Sequence, residues 1–354
     1  MGTMHITLLI ADLIPPPGFA MPLAMPALDA LLSRSRVTVY PGCVLEEALL
    51  AEFGIDENAP IAALTRLADI DESSAEQSSK SWLRADPVHF AISHDNIQLF
   101  DSHVINPTAE EMAAIAETLN RYFAEDGLQI HFPDAARGYI EIKSDDVPET
   151  TPLWLMGGAS VFANLPRIST KTKINWRAKT NEIQMLLHDH PVNQTRAANG
   201  LVPINGLWVW GGGLNELSIN TDYDHVVAKL ALARGLAIAK SLALESLPQS
   251  FSSLSSLCAA PIDGKTEQKT LVVLHAATRE IRAQSREAWP LEVNAIDADW
   301  IAPAVAALNQ GHIASLTILI ANESANMTIQ VRTGGVFERV KKLFSTRRSL
   351  KDFA

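Results

Sequence analysis

The chain has 354 residues, 47% of them hydrophobic and 19% charged, with a formal net charge of −11. That composition supports the packed core of one large or two ordinary domains, and it excludes a disordered chain and a general nucleic-acid binder. Two cysteines, Cys43 and Cys258, exclude a disulfide framework and a cysteine-rich metal site, and they fit a reducing compartment.

The first 25 residues are apolar but lack a basic leader, and Asp12 and the prolines from Pro15 to Pro17 break the run. What remains is too short for a membrane span or a signal peptide. No other run is long enough to span, so a cytoplasmic protein is expected. Ile6 to Ala11 reads as a buried strand with Asp12 at its carboxyl end. There a carboxylate either binds metal or substrate, or caps the following turn. Met25 to Arg36 reads as a helix. Pro41-Gly42 makes a turn, and Val44 to Phe53 makes a helix closed by Gly54. Cys43 therefore falls at a helix start, a position that lowers a thiol's pKa and favours anions.

Asp69 to Ser81 is polar and marks a boundary. Strands at Trp82–Phe90 and Asn96–Asp101, a helix from about Thr108 to Glu125, and strands at Leu128–Phe132 and Gly138–Lys143 follow. Thr108 and Glu111 make a capping box. This is a small α+β unit, 82–145, closed by a second polar linker at Asp145–Thr151. Trp176 to His190 reads as a helix. Its last residues, His188, Asp189 and His190, point in different directions and suit helix-end caps better than a metal cluster. VPINGLWVW reads as a strand buried on both faces that ends in Gly211–Gly213. Open α/β sheets place ligands outside such strand ends. A helix from Asp224, a serine-rich linker at Ser250–Ser256, a strand at Thr270–Ala277, a helix at Glu292–Gly311 and a strand at Ser315–Ser324 complete a parallel α/β core. The basic tail (Arg339, Lys341, Lys342, Arg347, Arg348, Lys351) is either a solvated helix or a dock for a protein partner or an anionic surface.

The stretch HPVNQTRAANGLVPINGLWVWGGG, His190 to Gly213, resembles the archaeal-type cofactor-independent phosphoglycerate mutases of the alkaline-phosphatase-like superfamily. More specifically it resembles their bacterial RpfE-type regulatory relatives. The resemblance implies an alkaline-phosphatase-like α/β core, 1–81 and 146–354, with a mostly parallel sheet flanked by helices and an α+β insert at 82–145. It implies a cleft for a phosphorylated small molecule, drawing on Arg84, Asp86, Arg137, His190, Asn193, Arg196, Asn205, Gly211, Gly212 and Gly213. Arginine suits such a ligand because its fork binds two oxygens at once; the alternative for each arginine is a salt bridge. It also implies a metal-binding Asp at Asp12 and a phosphorylated Ser or Thr where Cys43 stands.

The remaining ligands of a two-metal centre are absent by the same resemblance. Thr278 and Arg282 stand where the family has Asp and His, and Asn322 and Glu323 where it has an Asp-His pair. Loss of several ligands and of the nucleophile should abolish the mutase mechanism. The expectation is a non-catalytic regulatory protein with no cofactor. The alternative is an active mutase or phosphotransferase with a rewired manganese or zinc site, or with Cys43 as nucleophile.

Overall fold

The computed structural model describes residues 3–15, 18–19, 24–55, 59–70, 80–93, 96–143, 147–157, 159–167, 174–213, 217–257, 267–283 and 285–332. Cys258 and the whole basic tail lie outside them. The chain forms two compact units, Met1–Gly54 with Ile219–Ala354, and Ile55–Ser218. The smaller unit thus extends on both sides of the 82–145 segment expected from the sequence.

The chain opens in the larger unit with β1 (Thr3–Ala11), α1 (Pro26–Arg34), β2 (Arg36–Pro41) and α2 (Leu45–Glu52). The smaller unit holds α3 (Ile61–Asp69), β3 (Lys80–Ser93), β4 (Asn96–Phe100), α4 (Ser102–Ile105), α5 (Ala109–Tyr122), β5 (Ile130–Asp134) and β6 (Arg137–Lys143). It continues with α6 (Val161–Asn164), α7 (Trp176–His188), α8 (Pro191–Ala198) and β7 (Gly206–Trp210). The chain then returns with β8 (His225–Val227), α9 (Ala231–Ala239), β9 (Ala243–Glu245), α10 (Phe251–Leu257), β10 (Glu267–Leu274) and α11 (Ala276–Arg282). It ends in α12 (Ala288–Ile296), a π turn at Asp297–Ile301, α13 (Ala302–Asn309), β11 (Ser315–Ala321) and β12 (Ala325–Arg332).

The larger unit is built on a seven-stranded sheet of order β2-β12-β11-β1-β10-β8-β9. β1 sits in the middle and pairs in parallel with β10 and β11, while β8 and β9 extend the parallel run. β12 pairs antiparallel with β11 on one side and with β2 on the other, so among the described strands of this sheet β12 alone runs against the rest. The apolar run of β1 follows from that place: a central strand needs apolar side chains on both faces. Ile6, Leu8 and Ile10 are fully buried with Val272, Leu316, Ile318, Trp289 and Leu308 in one core. The fold class is therefore α/β, a mostly parallel sheet flanked by helices, as expected.

The smaller unit has a five-stranded antiparallel sheet in which β4, β3, β6 and β5 are neighbours and β7 joins β3. The strand–strand–helix–strand–strand order stands as read from the sequence. So does the capping box, with Glu111 N donating to Thr108 and Thr108 N to Glu111. Met112, Ile115 and Leu119 of α5 and Trp176, Ile183 and Leu187 of α7 cover this sheet.

Several local readings need correction. The tryptophan-rich strand β7 belongs to this antiparallel sheet and not to the parallel core, so the rule for ligands at parallel strand ends does not apply to it. The HPVN stretch is a helix start: His190 is its N-cap and Pro191 its first residue, where a missing N–H is harmless. The helix expected from Asp224 begins instead as strand β8, and Ser250–Ser256 lies largely in α10. β2, β9 and β12 had no counterpart in the sequence reading. Among the described residues no helix is long and apolar enough to cross a membrane.

Candidate functional site

In the larger unit, the carboxyl ends of β1, β10 and β11 bring several polar groups together. Asp12 follows β1 with φ +58, a left-handed conformation that Asp tolerates better than most residues. Its backbone N–H donates to Ala321 O at 2.9 Å, tying the ends of β1 and β11 together. Segment 42–43 lies against the other side of β11's end. Cys43 N donates to Asn322 O at 3.1 Å, and a Cβ on Gly42 would sit 2.1 Å from Glu323 O. Only glycine allows that approach.

α11 follows β10 and carries Thr278 and Arg282, four residues apart and so on one helix face. The Arg282 guanidinium donates to Glu46 at 2.7 Å. Glu46 is only 5% exposed, because it lies on the buried face of α2 with Leu45, Leu49 and Leu50. The other Glu46 oxygen, Oε2, is buried and has no hydrogen-bond partner among the described residues. Burial pushes the Asp12 carboxyl above its ordinary range. The Thr278 side chain and the Arg282 charge pull it down, and the charges of Glu46 and Glu323 push it up. The sequence reading missed Glu46, whose only signal is a glutamate at an apolar position of a helical pattern.

Cys43 is half-buried, and its Sγ accepts from the Asn326 side-chain amide at 2.9 Å. Burial pushes its thiol up, against the lowering by Asn326. The lowered pKa expected at a helix start is thus reversed: desolvation outweighs the short helix behind it. Asn322 is fully engaged, donating to Ile14 O and accepting from Ser324 N and Oγ.

These residues do not fit the two-cation centre that the resemblance implies. Such a centre needs several carboxylate or imidazole donors converging on hard cations. Here Thr278 offers a neutral hydroxyl, Asn322 is used up in turns, and Arg282 is itself a cation. Among the described residues no three His, Cys, Asp or Glu side chains form a group able to hold a metal ion.

In the smaller unit, the expected ligand residues are bound to their own chain. Arg84 forks onto Asp86 through two 2.9 Å bonds and lies between the Tyr139 and Trp210 rings. Asp86 also accepts from Trp210 Nε1 at 2.7 Å. Arg137 forks onto Asp69 at 2.7 and 2.8 Å, and the Tyr139 hydroxyl donates to the same carboxylate at 2.6 Å. Arg196, 2% exposed, donates to Glu111 at 2.6 Å, to Val202 O at 2.7 Å and to Ile105 O.

The asparagines of the motif are clamps. Asn193 bonds Leu187 O, Ile204 O and Ile204 N, and Asn205 bonds both Phe90 N and Phe90 O. His190 receives Val192 N on Nδ1 and meets Thr118 Oγ1 at 2.9 Å with Nε2; burial lowers its pKa. His188 and Asp189 beside it are exposed. Gly211 turns the chain with φ +73, its carbonyl accepting from Ala62 N, and Gly212 has no room for a Cβ beside Leu83 and Val147.

No family model matches the chain. A stretch of 109 residues, 30% of the chain, is 33% identical to the 2,3-bisphosphoglycerate-independent phosphoglycerate mutase of Methanothrix thermoacetophila. That match spans 26% of the enzyme's length, about a quarter. Among solved structures, the PH0037 protein from Pyrococcus horikoshii covers 96% of this chain with 93% of its own, at 15% identity and a TM-score of 0.51. The cofactor-independent phosphoglycerate mutase from Thermoplasma acidophilum covers 94% of this chain with 90% of its own, at 12% identity and a TM-score of 0.41. At these identities the structural likeness concerns the fold alone.

Proposed function

We propose that this chain is a non-catalytic, phosphoglycerate-mutase-like protein that serves a regulatory or binding role in the cytoplasm. The observation that carries this reading is the ion pair of Arg282 with Glu46 beside Asp12, at the strand ends where metal-dependent phosphoryl transfer would need bare donors. The raised thiol of Cys43 speaks against the thiol alternative, because the thiolate is the nucleophile. The partial likeness to a phosphoglycerate mutase supports a phosphorylated small molecule as ligand. Such a ligand at Arg84, Arg137 or Arg196 would have to displace a carboxylate already bonded to the guanidinium.

The test is a coupled phosphoglycerate mutase assay on protein incubated with manganese or zinc. No turnover above the no-enzyme rate is expected, and metal-dependent turnover would overturn the reading. A thermal shift with 3-phosphoglycerate tests the ligand separately: a saturable rise in Tm supports it, and none removes it.

A further inference from the structure

α8 opens on an imidazole whose two nitrogens are both in use. Pro191 at its first position has no N–H, so Val192 N is the first donor of the helix, and His190 Nδ1 accepts it at 3.3 Å. An accepting nitrogen carries no hydrogen, so the neutral ring bears its hydrogen on Nε2 and donates it to Thr118 Oγ1 of α5 at 2.9 Å. The residue is only 6% exposed. One ring thus caps α8 and ties it to α5. Further along the same helix, Asn193 holds Leu187 O and Ile204, and Arg196 holds Glu111 and Ile105 O.

A second proton does not fit this arrangement. It goes to Nδ1, where the new N–H meets the Val192 N–H, and it puts a positive charge at a helix N-terminus, the end that disfavours cations. The charged and titratable groups on the elements packed here are Glu110, Glu111, Glu117 and Arg121 of α5, Arg177, Lys179, Glu182 and His188 of α7 with Asp189 after it, and Arg196 of α8 itself. Arg196 is bonded to Glu111 and Lys179 to Glu182. Burial is what acts on the ring, and it opposes the charged form.

We propose that His190 is an acid-operated latch: its neutral ring holds the start of α8 against α5, and its protonation opens the cap and loosens the helix. The sign follows from the direction of the shift. The unfolded chain binds this proton more tightly than the folded one, so the latch is fully closed above the ordinary His pKa of about 6.5 and is lost as pH falls through the lowered folded value.

The experiment follows amide hydrogen exchange by mass spectrometry in the full-length chain at about pH 7.5 and about pH 5.5, either side of the ordinary His pKa. Rates are corrected for the intrinsic pH dependence of exchange. Wild-type α8 should exchange roughly fivefold faster at the lower pH, the size of one lost cap, while α13 of the larger unit stays unchanged. His190→Asn keeps a favoured N-cap that does not titrate, so its α8 should exchange alike at both pH values. His190→Ser takes its place if the Asn variant does not fold. If neither folds, loosening confined to α8 and the Thr118 turn of α5 in wild type supports the proposal. Unchanged exchange of wild-type α8, the same acid loosening in His190→Asn, or a loss spread evenly over the smaller unit each overturns it. None of these outcomes depends on mutase turnover, so the two proposals fail separately.

Discussion

The guanidinium of Arg196 makes bonds to Glu111, to Val202 O and to Ile105 O, and almost none of it meets water. A buried cation held this way cannot be deleted cheaply, because every acceptor it satisfied is left behind. Arg196→Met should destabilise the fold by about 3 kcal/mol, the lower end for a broken buried pair, since Glu111 keeps some contact with water. Urea denaturation of the two proteins measures it, and a loss below about 1 kcal/mol would show that the clamp is unimportant.

Asp12 allows a test with a sign. Its carboxyl is raised, so the folded chain binds that proton more tightly than the unfolded chain. Its contribution to stability therefore falls as pH rises through the window from the ordinary carboxylate pKa to the raised one. Asp12→Asn keeps a residue that accepts the left-handed backbone and removes the titration. The stability of wild type minus that of Asp12→Asn should grow as the pH drops from neutrality towards the ordinary Asp pKa of about 4. A constant difference over that range would refute the raised pKa.

The sequence singled out Arg196, Asn193 and Asn205, but not what they bond. A polar residue in a glycine- and asparagine-rich stretch looks the same whether it meets a ligand or its own backbone. Only the positions of Phe90, Ile105 and Glu111, far off in the chain, decide between the two. Thr278 and Arg282 were visible by type, a neutral hydroxyl and a cation where hard anionic donors would be needed. The bond of Arg282 to Glu46 was not, since that depends on how α2 and α11 are placed.

Among the elements, those with strong periodicity or clear caps were legible and the short edge pieces were not. α5 announced itself through Thr108 and Glu111, and β1, β10 and β11 through apolar runs that only a central parallel strand requires. β8 and β9 have three residues each, too few to show any period, and the alanines and leucines after β8 drew the helix reading backwards over it. β2 alternates poorly because it is an edge strand, with Val39 and Tyr40 exposed.

α1 shows a further feature that no local pattern contains. Its N-cap is Met25, which supplies no side-chain bond. Asp297, some 270 residues on in the π turn, accepts from Ala27 N at 3.1 Å and Leu28 N at 2.8 Å instead. Burial raises this carboxyl, and the two N–H groups lower it. The cap is thus made across the fold and ties α1 to the helix that precedes β11. Asp297→Ala should cost about 1 to 2 kcal/mol, the range for losing a cap. Asp297→Asn, which keeps an acceptor, should lose clearly less. Denaturant midpoints with unchanged slopes would report this, and equal losses in both variants would point to packing rather than capping.

For the molecule as a whole, the unit boundaries lead to a prediction about excision. The sequence marked 82–145 by its polar flanks. Yet a loop is a boundary only if the elements beyond it pack elsewhere. β7 fills the place beside β3, pairing Arg84 through Val88 with Trp210 through Gly206, and α7 supplies Trp176, Ile183 and Leu187 to the same core. α3 adds Asp69, the carboxylate that Arg137 and Tyr139 share. A fragment 82–145 would expose the middle of β3, leave Leu83 and Ile140 without Leu207, Val209 and Ile204, and take from Arg137 and Tyr139 the Asp69 carboxylate they share. A fragment 55–218 keeps all of these. The longer fragment should therefore melt cooperatively in circular dichroism, and the shorter one should show neither a cooperative transition nor dispersed amide resonances. Cooperative melting of 82–145 would mean that its own four strands and α5 suffice, and that β7 and α7 lie on a core that does not need them.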